Sequence, residues 1–246
     1  MRENYTLTRL FIASPLTGGA SVALTKEQAH YLGTVLRKSA GDSLRVFNGE
    51  GGEWRAEIAS ISRKGGEISL TEQLRAPKPS PDIWLCFAPV RKHRTAFIVE
   101  KGTELGAHAF HPVITERTQF PRLNTDKARL QAIEAAEQTE RLDVPDVHEV
   151  SSLNDMLRGW DRGRALIFAD EAGDAKPALA VLKAMPLSPA AILIGPEGGF
   201  TPSEREILRA QPFVTPVSLG PRILRADTAA LSLLTLWQAV CGDWEY

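Results

Sequence analysis

The stretch Ile192-Leu193-Ile194-Gly195-Pro196-Glu197-Gly198-Gly199-Phe200-Thr201-Pro202-Ser203-Glu204 decides how the chain is read. With Ala191 it opens on an uninterrupted apolar run, the pattern of a strand buried on both faces of a parallel sheet. A helix is predicted to start after Phe200, with Thr201 as N-cap, Pro202 in the first helical position and Glu204 completing a capping box. Between strand and helix lies a turn with almost no side chains. Its three glycines let backbone N–H and C=O groups approach a ligand closely, and parallel sheets bind ligands where their strands end. The same turn also fits a tight strand-to-helix connection with no ligand role. Neither GxGxxG nor GxxxxGKS/T occurs, which disfavours a pyrophosphate site.

Downstream, Val217-Ser218-Leu219-Gly220-Pro221-Arg222-Ile223-Leu224-Arg225-Ala226-Asp227-Thr228-Ala229-Ala230 places a strand, a Gly-Pro loop with two arginines and an N-cap Asp227 in immediate succession. Arg222 and Arg225 could be solvated loop charges. The apolar pair Ile223-Leu224 instead predicts a loop folded back on the protein, so that its arginines are aimed. Upstream, strands are expected at 83–88, 112–115, 147–150 and 165–169, alternating with helices at 95–105, 126–139 and 177–184. Together with strands at 191–194 and 214–219 and helices at 202–210 and 227–241, this rhythm predicts an α/β domain.

Arg75-Ala76-Pro77-Lys78-Pro79-Ser80-Pro81 has three prolines within five residues, which favours an extended linker and places a domain boundary between 1–75 and 76–246. The first of these reads as a small β domain, with apolar segments at 10–12, 44–47, 54–58 and 67–70, a hairpin signal at Asn48-Gly49 and one helix at 25–36 capped by Thr25.

The 246 residues carry a net charge of −1, which argues against a generic polyanion binder. The charge is uneven: residues 1–75 hold ten Lys/Arg against eight Asp/Glu, and residues 146–246 hold nine against thirteen. No apolar run approaches the roughly 20 residues that span a bilayer, and the N-terminus lacks a signal-peptide core, so a cytoplasmic protein is expected. Two cysteines without a CxxC pair and five histidines without HExxH predict neither a disulfide scaffold nor a metal.

LIGPEGGFTPSE at 193–204 and SLGPRILRADTAAL at 218–231 resemble the two C-terminal signature motifs of the RsmE-type ribosomal RNA methyltransferases of the SPOUT class. Further similarity lies in Glu134-Ala135-Ala136-Glu137-Gln138, in Lys101-Gly102-Thr103-Glu104-Leu105-Gly106, in Arg9-Leu10-Phe11, and in Ala29-His30-Tyr31-Leu32 followed by Val35-Leu36-Arg37. The resemblance covers nearly the whole chain. It implies an N-terminal PUA-like β-barrel that grips RNA and a C-terminal parallel-sheet domain with a trefoil knot. It further implies S-adenosyl-L-methionine bound at the knot, and a cytoplasmic homodimer that methylates N3 of a uridine near the 3′ end of 16S rRNA in the small ribosomal subunit. Asp227 stands where the family usually has Glu, Thr139 where Ser is usual, and Glu140 where a small residue is common.

A uracil N3 carries an imide proton at neutral pH, so transfer to it requires a base or a group that stabilises the developing anion. Arg222 and Arg225 are the expected stabilisers, with Glu197 or Asp227 as proton acceptor; Asp227 also fits a plain helix cap and Glu197 a brace of the turn. The cofactor is expected against Ala169 of the Phe168-Ala169-Asp170 loop, against Ile194, Gly195, Pro196, Gly198 and Gly199, and against Leu219, Gly220, Ile223 and Leu224. Arg9, His30, Arg37, Lys38, Arg91 and Lys92, with His93 and Arg94 in the same run, are the expected phosphate contacts. Two other readings remain open at this stage: a SPOUT enzyme acting on a ribose 2′-hydroxyl, and a non-catalytic RNA-binding assembly factor.

Overall fold

The computed structural model describes residues 3–172, 174–185 and 189–244, which fall into two compact units. The first comprises Met1–Pro79 together with Ala136–Val144, and the second Ser80–Ala135 with Pro145–Tyr246. The proline-rich segment thus contains the first crossing between units, while the return of 136–144 to the first unit has no counterpart in the sequence pattern.

The first unit is a five-stranded sheet in the order β1 (Arg9–Phe11), β3 (Ser43–Asn48), β4 (Gly52–Ser62), β5 (Gly65–Arg75), β2 (Ser21–Leu24), with β1 parallel to β3 and the other pairs antiparallel. Register shifts along β4 and β5 bend the long ribbon around a core that includes Leu10, Leu32, Leu44, Val46, Ala56, Ile58, Ile68 and Leu70. At Asn48 the chain makes a three-residue connection in which the Asn48 side chain accepts from Gly51 N–H at 2.6 Å, so the hairpin forms with a longer loop than Asn-Gly alone suggests. Thr25 and Gln28 form a capping box on α1 (Lys26–His30), which continues as a π-helical turn to Val35.

Arg9 is not a phosphate contact. It is buried, donates to Glu53 at 2.6 Å and to the carbonyls of Ala136 and Arg141, and lies over the Phe47 ring. Burial opposes ionisation of Glu53, but hydrogen bonds from Arg75 and Arg9 outweigh it and hold the carboxyl below its usual range. The charge it keeps stabilises the fold above the ordinary carboxylate pKa, and this contribution fades as pH falls through the lowered value. Glu140 completes the network with a bidentate pair to Arg45, 2.7 Å on each arm, and a contact to Arg75 at 3.2 Å. Its φ of +61° lies in the left-handed region that glycine adopts most freely, and here a charged residue takes it while pairing with two arginines.

In the second unit seven strands run parallel in the order β11 (Lys176–Pro177), β13 (Val214–Ser218), β10 (Ala165–Ala169), β12 (Ala190–Ile194), β6 (Ile83–Phe87), β7 (Ala109–Ile114), β8 (Asp146–Val147), and the two-residue β9 (Ser151–Ser152) also pairs with β7. Every residue of β12 is buried, as its apolar run requires. On one face α7 (Ala226–Cys241) packs on β12 and β6 and against α2 (Lys92–Glu104) and α5 (Ala178–Ala184). A second cluster joins Leu166, Phe168, Ala191 and Leu193 to Leu153 of α4 (Leu153–Arg158) and Leu208 of α6 (Pro202–Arg209). The remaining helix, α3 (Thr125–Gln138), follows β7. Among the described residues no helix is long and apolar enough to cross a membrane.

Candidate functional site: a cleft at three strand ends

β10, β12 and β13 are neighbours in the sheet, so the loops leaving their C-terminal ends converge. They enclose a cleft of about 310 Å³. Its walls are Ala169, Asp170 and Glu171, then Ile194 to Gly199, then Val217 to Leu224, with Ala226 and Ala229 of α7. All ten residues expected at the cofactor therefore line one cavity, and so do Glu197 and Arg222. Arg225 stands at the N-cap of α7, exposed and outside that lining.

The glycine-rich turn is held from several directions. Gly199 N–H donates to Pro196 C=O at 2.9 Å, and Gly199 has a φ of +66° that a side chain would strain. A Cβ there would lie 2.1 Å from Glu171 Oε1, and that same oxygen accepts the Phe200 N–H at 3.3 Å. From the loop after β7, Arg117 donates to the carbonyls of Gly198 at 2.9 Å and Phe200 at 3.5 Å. The Phe200 ring is buried edge-on against Phe168, its atoms filling the place where Gly195 lacks a side chain. Thr201 and Glu204 form the expected capping box, and the other Glu204 oxygen accepts from Glu116 N–H at 2.8 Å. Asp170, buried at the floor of its loop, pairs with Arg209 at 2.6 Å; Arg209 also binds Asp174 at 2.5 Å, which lowers the Asp174 pKa and raises its own.

The arginine loop departs from expectation. Ile223 is 89% exposed rather than folded back, and only Leu224 is half-buried. The side chains of Arg222 and Arg225 are exposed and have no hydrogen-bond or ion-pair partner among the described residues. Asp227 is not the N-cap, since the helix begins one residue earlier. One of its oxygens accepts from Arg94 at 2.5 Å and the other from Thr228 N–H at 2.9 Å. With both oxygens engaged, Asp227 anchors α7 to α2 and is poorly placed to take a proton, and Arg94 leaves the phosphate-contact set. Glu197 is exposed at the cleft with no such partner.

Of the remaining expected RNA contacts, His30 and Arg37 are exposed and Lys38 half-buried in the first unit, while Arg91 and Lys92 are exposed at the start of α2. The sequence reading missed Glu171 and Arg117. Both are polar residues in strand-end loops with no motif around them, and only the fold brings them to the turn.

A parallel sheet with a ligand-sized cleft at adjacent strand ends, walled by a glycine turn and an arginine loop, defines an α/β ligand-binding fold. A family model described as RNA methyltransferase domain matches residues 76–238, and one described as RNA methyltransferase PUA domain matches 24–71. The ribosomal RNA small subunit methyltransferase E of Rickettsia conorii is 32% identical over 92% of this chain and 93% of its own length, and that of Synechocystis 36% identical over 90% and 74%. Among solved structures, a putative methyltransferase from Legionella pneumophila in complex with bound SAM has a TM-score of 0.84 and 30% identity, covering 96% of this chain and 99% of that one. The ribosomal RNA small subunit methyltransferase E of Neisseria gonorrhoeae bound to S-adenosyl methionine has a TM-score of 0.82 and 27% identity, over 97% and 99%. The chain belongs to the ribosomal RNA small subunit methyltransferase E family.

Proposed function

We propose that this protein transfers a methyl group from S-adenosyl-L-methionine to N3 of a uridine near the 3′ end of 16S rRNA within the small ribosomal subunit, as a cytoplasmic homodimer with a knotted C-terminal domain. The observation that carries this reading is the single cleft in which a backbone-rich turn faces the loop that bears Arg222 and Arg225. The residues suit the cofactor: a cavity of about 310 Å³, glycines where a side chain would intrude, and apolar Ile194, Val217, Leu219 and Leu224 beside polar loop groups. When bound, the cofactor supplies an electrophilic methyl group.

The protein's own residues must expose the N3 lone pair. Arg222 and Arg225 provide positive charge to stabilise the anion that develops on the uracil carbonyls, and neither has a carboxylate partner to neutralise it. Glu197 is the carboxylate free to accept the proton. His30, Arg37, Lys38, Arg91 and Lys92 hold phosphates and so orient the uridine. On α7, Leu236 and Val240 lie one turn apart and only partly buried, which supports a second copy as partner, as does exposed Ile223 in the loop before the helix.

Mass spectrometry of 16S rRNA nucleosides from cells lacking this gene tests the reading, with loss of one 3-methyluridine expected. Loss of a ribose-methylated nucleoside instead would assign another acceptor atom, and no loss at all would overturn the activity.

A further inference from the structure

We propose that Arg117 and Glu171 act as a charged brace that sets the glycine-rich turn for the cofactor, making both of them positioning residues. This rests on the cofactor assignment above. Glu171 leaves β10, which adjoins the β12 that carries the turn, and Arg117 leaves β7, which lies on the other side of β12 beyond β6. The two side chains, opposite in charge, fasten the same short piece of backbone. Glu171 takes the N–H of Phe200, while Arg117 takes the C=O of Gly198 and, at longer range, that of Phe200.

Each arm is itself fixed. The Glu171 loop is anchored by the adjacent Asp170, buried and paired with Arg209. The Arg117 loop is closed by Thr115 N–H on the Thr118 hydroxyl at 2.9 Å and Thr118 N–H on the Thr115 carbonyl at 3.1 Å, and Glu116 N–H is tied to Glu204. Gly199 completes the fit. A Cβ at Gly199 would collide with Glu171, whereas one at Gly198 would make only ordinary contact with Arg117 Cβ at 3.4 Å.

Arg117 does not line the cleft, so its influence on the cofactor passes through the peptide groups of Gly198 and Phe200. A charged donor on a peptide carbonyl is stronger than a neutral one, and its loss lets the turn sample orientations in which its backbone no longer matches the ligand. The peptide groups would then have to be reordered at each binding event, which weakens binding without touching the transfer step.

Calorimetry with S-adenosylmethionine, paired with steady-state kinetics on small subunits, tests the brace. Arg117→Ala should raise the cofactor Kd and KM about tenfold, equivalent to about 1.4 kcal/mol. It should leave kcat at saturating cofactor within about twofold and the RNA KM unchanged, and Arg117→Lys should recover most of the affinity. Because Arg117 is exposed, the melting temperature should hold, which separates positioning from folding. Unchanged cofactor affinity in Arg117→Ala overturns the proposal, as does a defect confined to RNA binding. Glu171→Gln keeps an acceptor for Phe200 N–H and should bind near the parental level, whereas Glu171→Ala should resemble Arg117→Ala. If the Gln variant is as weak as the Ala variant, Glu171 acts on the ligand by its charge and the brace is refuted at that end. A parent that binds no cofactor would instead sink the proposed function, so the two failures are told apart.

Discussion

The turn at 195–200 and the loop at 219–225 wall the same cleft, yet they are held in opposite ways. The turn has its peptide groups fastened by Pro196, Glu171 and Arg117, a buried phenylalanine beneath it and a capped helix behind it. Among the described residues, the loop is held by a bond from Gly220 N–H to the Ser218 hydroxyl at 3.2 Å and, where it enters α7, by the Arg225 carbonyl accepting from Ala229 N–H at 2.8 Å, with Ile223 and both arginine side chains in solvent. A binding surface that is built in advance loses little entropy when its ligand arrives, whereas one that must be ordered loses more and gains the ability to respond to a partner. Under the proposed function, the cleft divides into a finished wall for the cofactor and a wall that RNA or a second copy would complete.

The most severe way to break this contrast is to spoil the finished side. Gly199→Val places a branched side chain onto the Glu171 carboxylate at a φ of +66°, and calorimetry should find S-adenosylmethionine binding abolished in a folded protein. Binding at the parental level would mean that the turn is not the cofactor wall. Next in size is Arg225→Ala, with Arg222→Ala in parallel. Turnover on small subunits should fall roughly 100-fold or more while cofactor affinity changes far less. Near-normal turnover in both variants would return these side chains to plain solvated charges.

A smaller effect separates charge that holds RNA from charge that serves chemistry. Arg37→Ala combined with Lys38→Ala should flatten the log-log salt dependence of substrate binding by roughly 1.4, at about 0.7 per single-strand contact, and leave cofactor affinity alone. An unchanged slope would move phosphate recognition elsewhere. The smallest expected change is that of Ile223→Ser, which should shift the unfolding free energy of the isolated chain by no more than about 0.5 kcal/mol in a denaturant titration. A cost several times larger would show that the loop is packed in solution, and the contrast between the two walls would collapse.

What could be seen in the sequence followed from local chemistry. The apolar run before Gly195, the Thr201 and Glu204 cap, and the Gly-Pro loop after the last strand each announce an element within a few residues, and the structure has all three. Tertiary partners were invisible at that range. Arg9 looked like any other basic residue near the N-terminus, and only its ion pair with Glu53, 44 positions away, and its bonds to carbonyls about 130 positions away make it a buried ion. Asp227 had the composition of a helix cap but was diverted by Arg94, 133 residues earlier, which left Arg225 in the cap position. The Ile223-Leu224 pair misled because apolar side chains on a loop signal burial somewhere, and a surface awaiting a partner satisfies that signal as well as a core does.

The return of Ala136–Val144 to the first unit also has a meaning for biosynthesis. When Pro79 leaves the ribosome, Arg9, Arg45 and Arg75 have only Glu53 as their shared counter-ion, because Glu140 has not been made. Translation at about 5–20 residues per second needs roughly 3–13 s to supply the remaining 65 residues through Val144. The nascent N-terminal unit must wait that long with an unbalanced charge in its interior. The order of synthesis thus delays its closure until residues 80–135, the smaller part of the second unit's sequence, are already outside the exit tunnel.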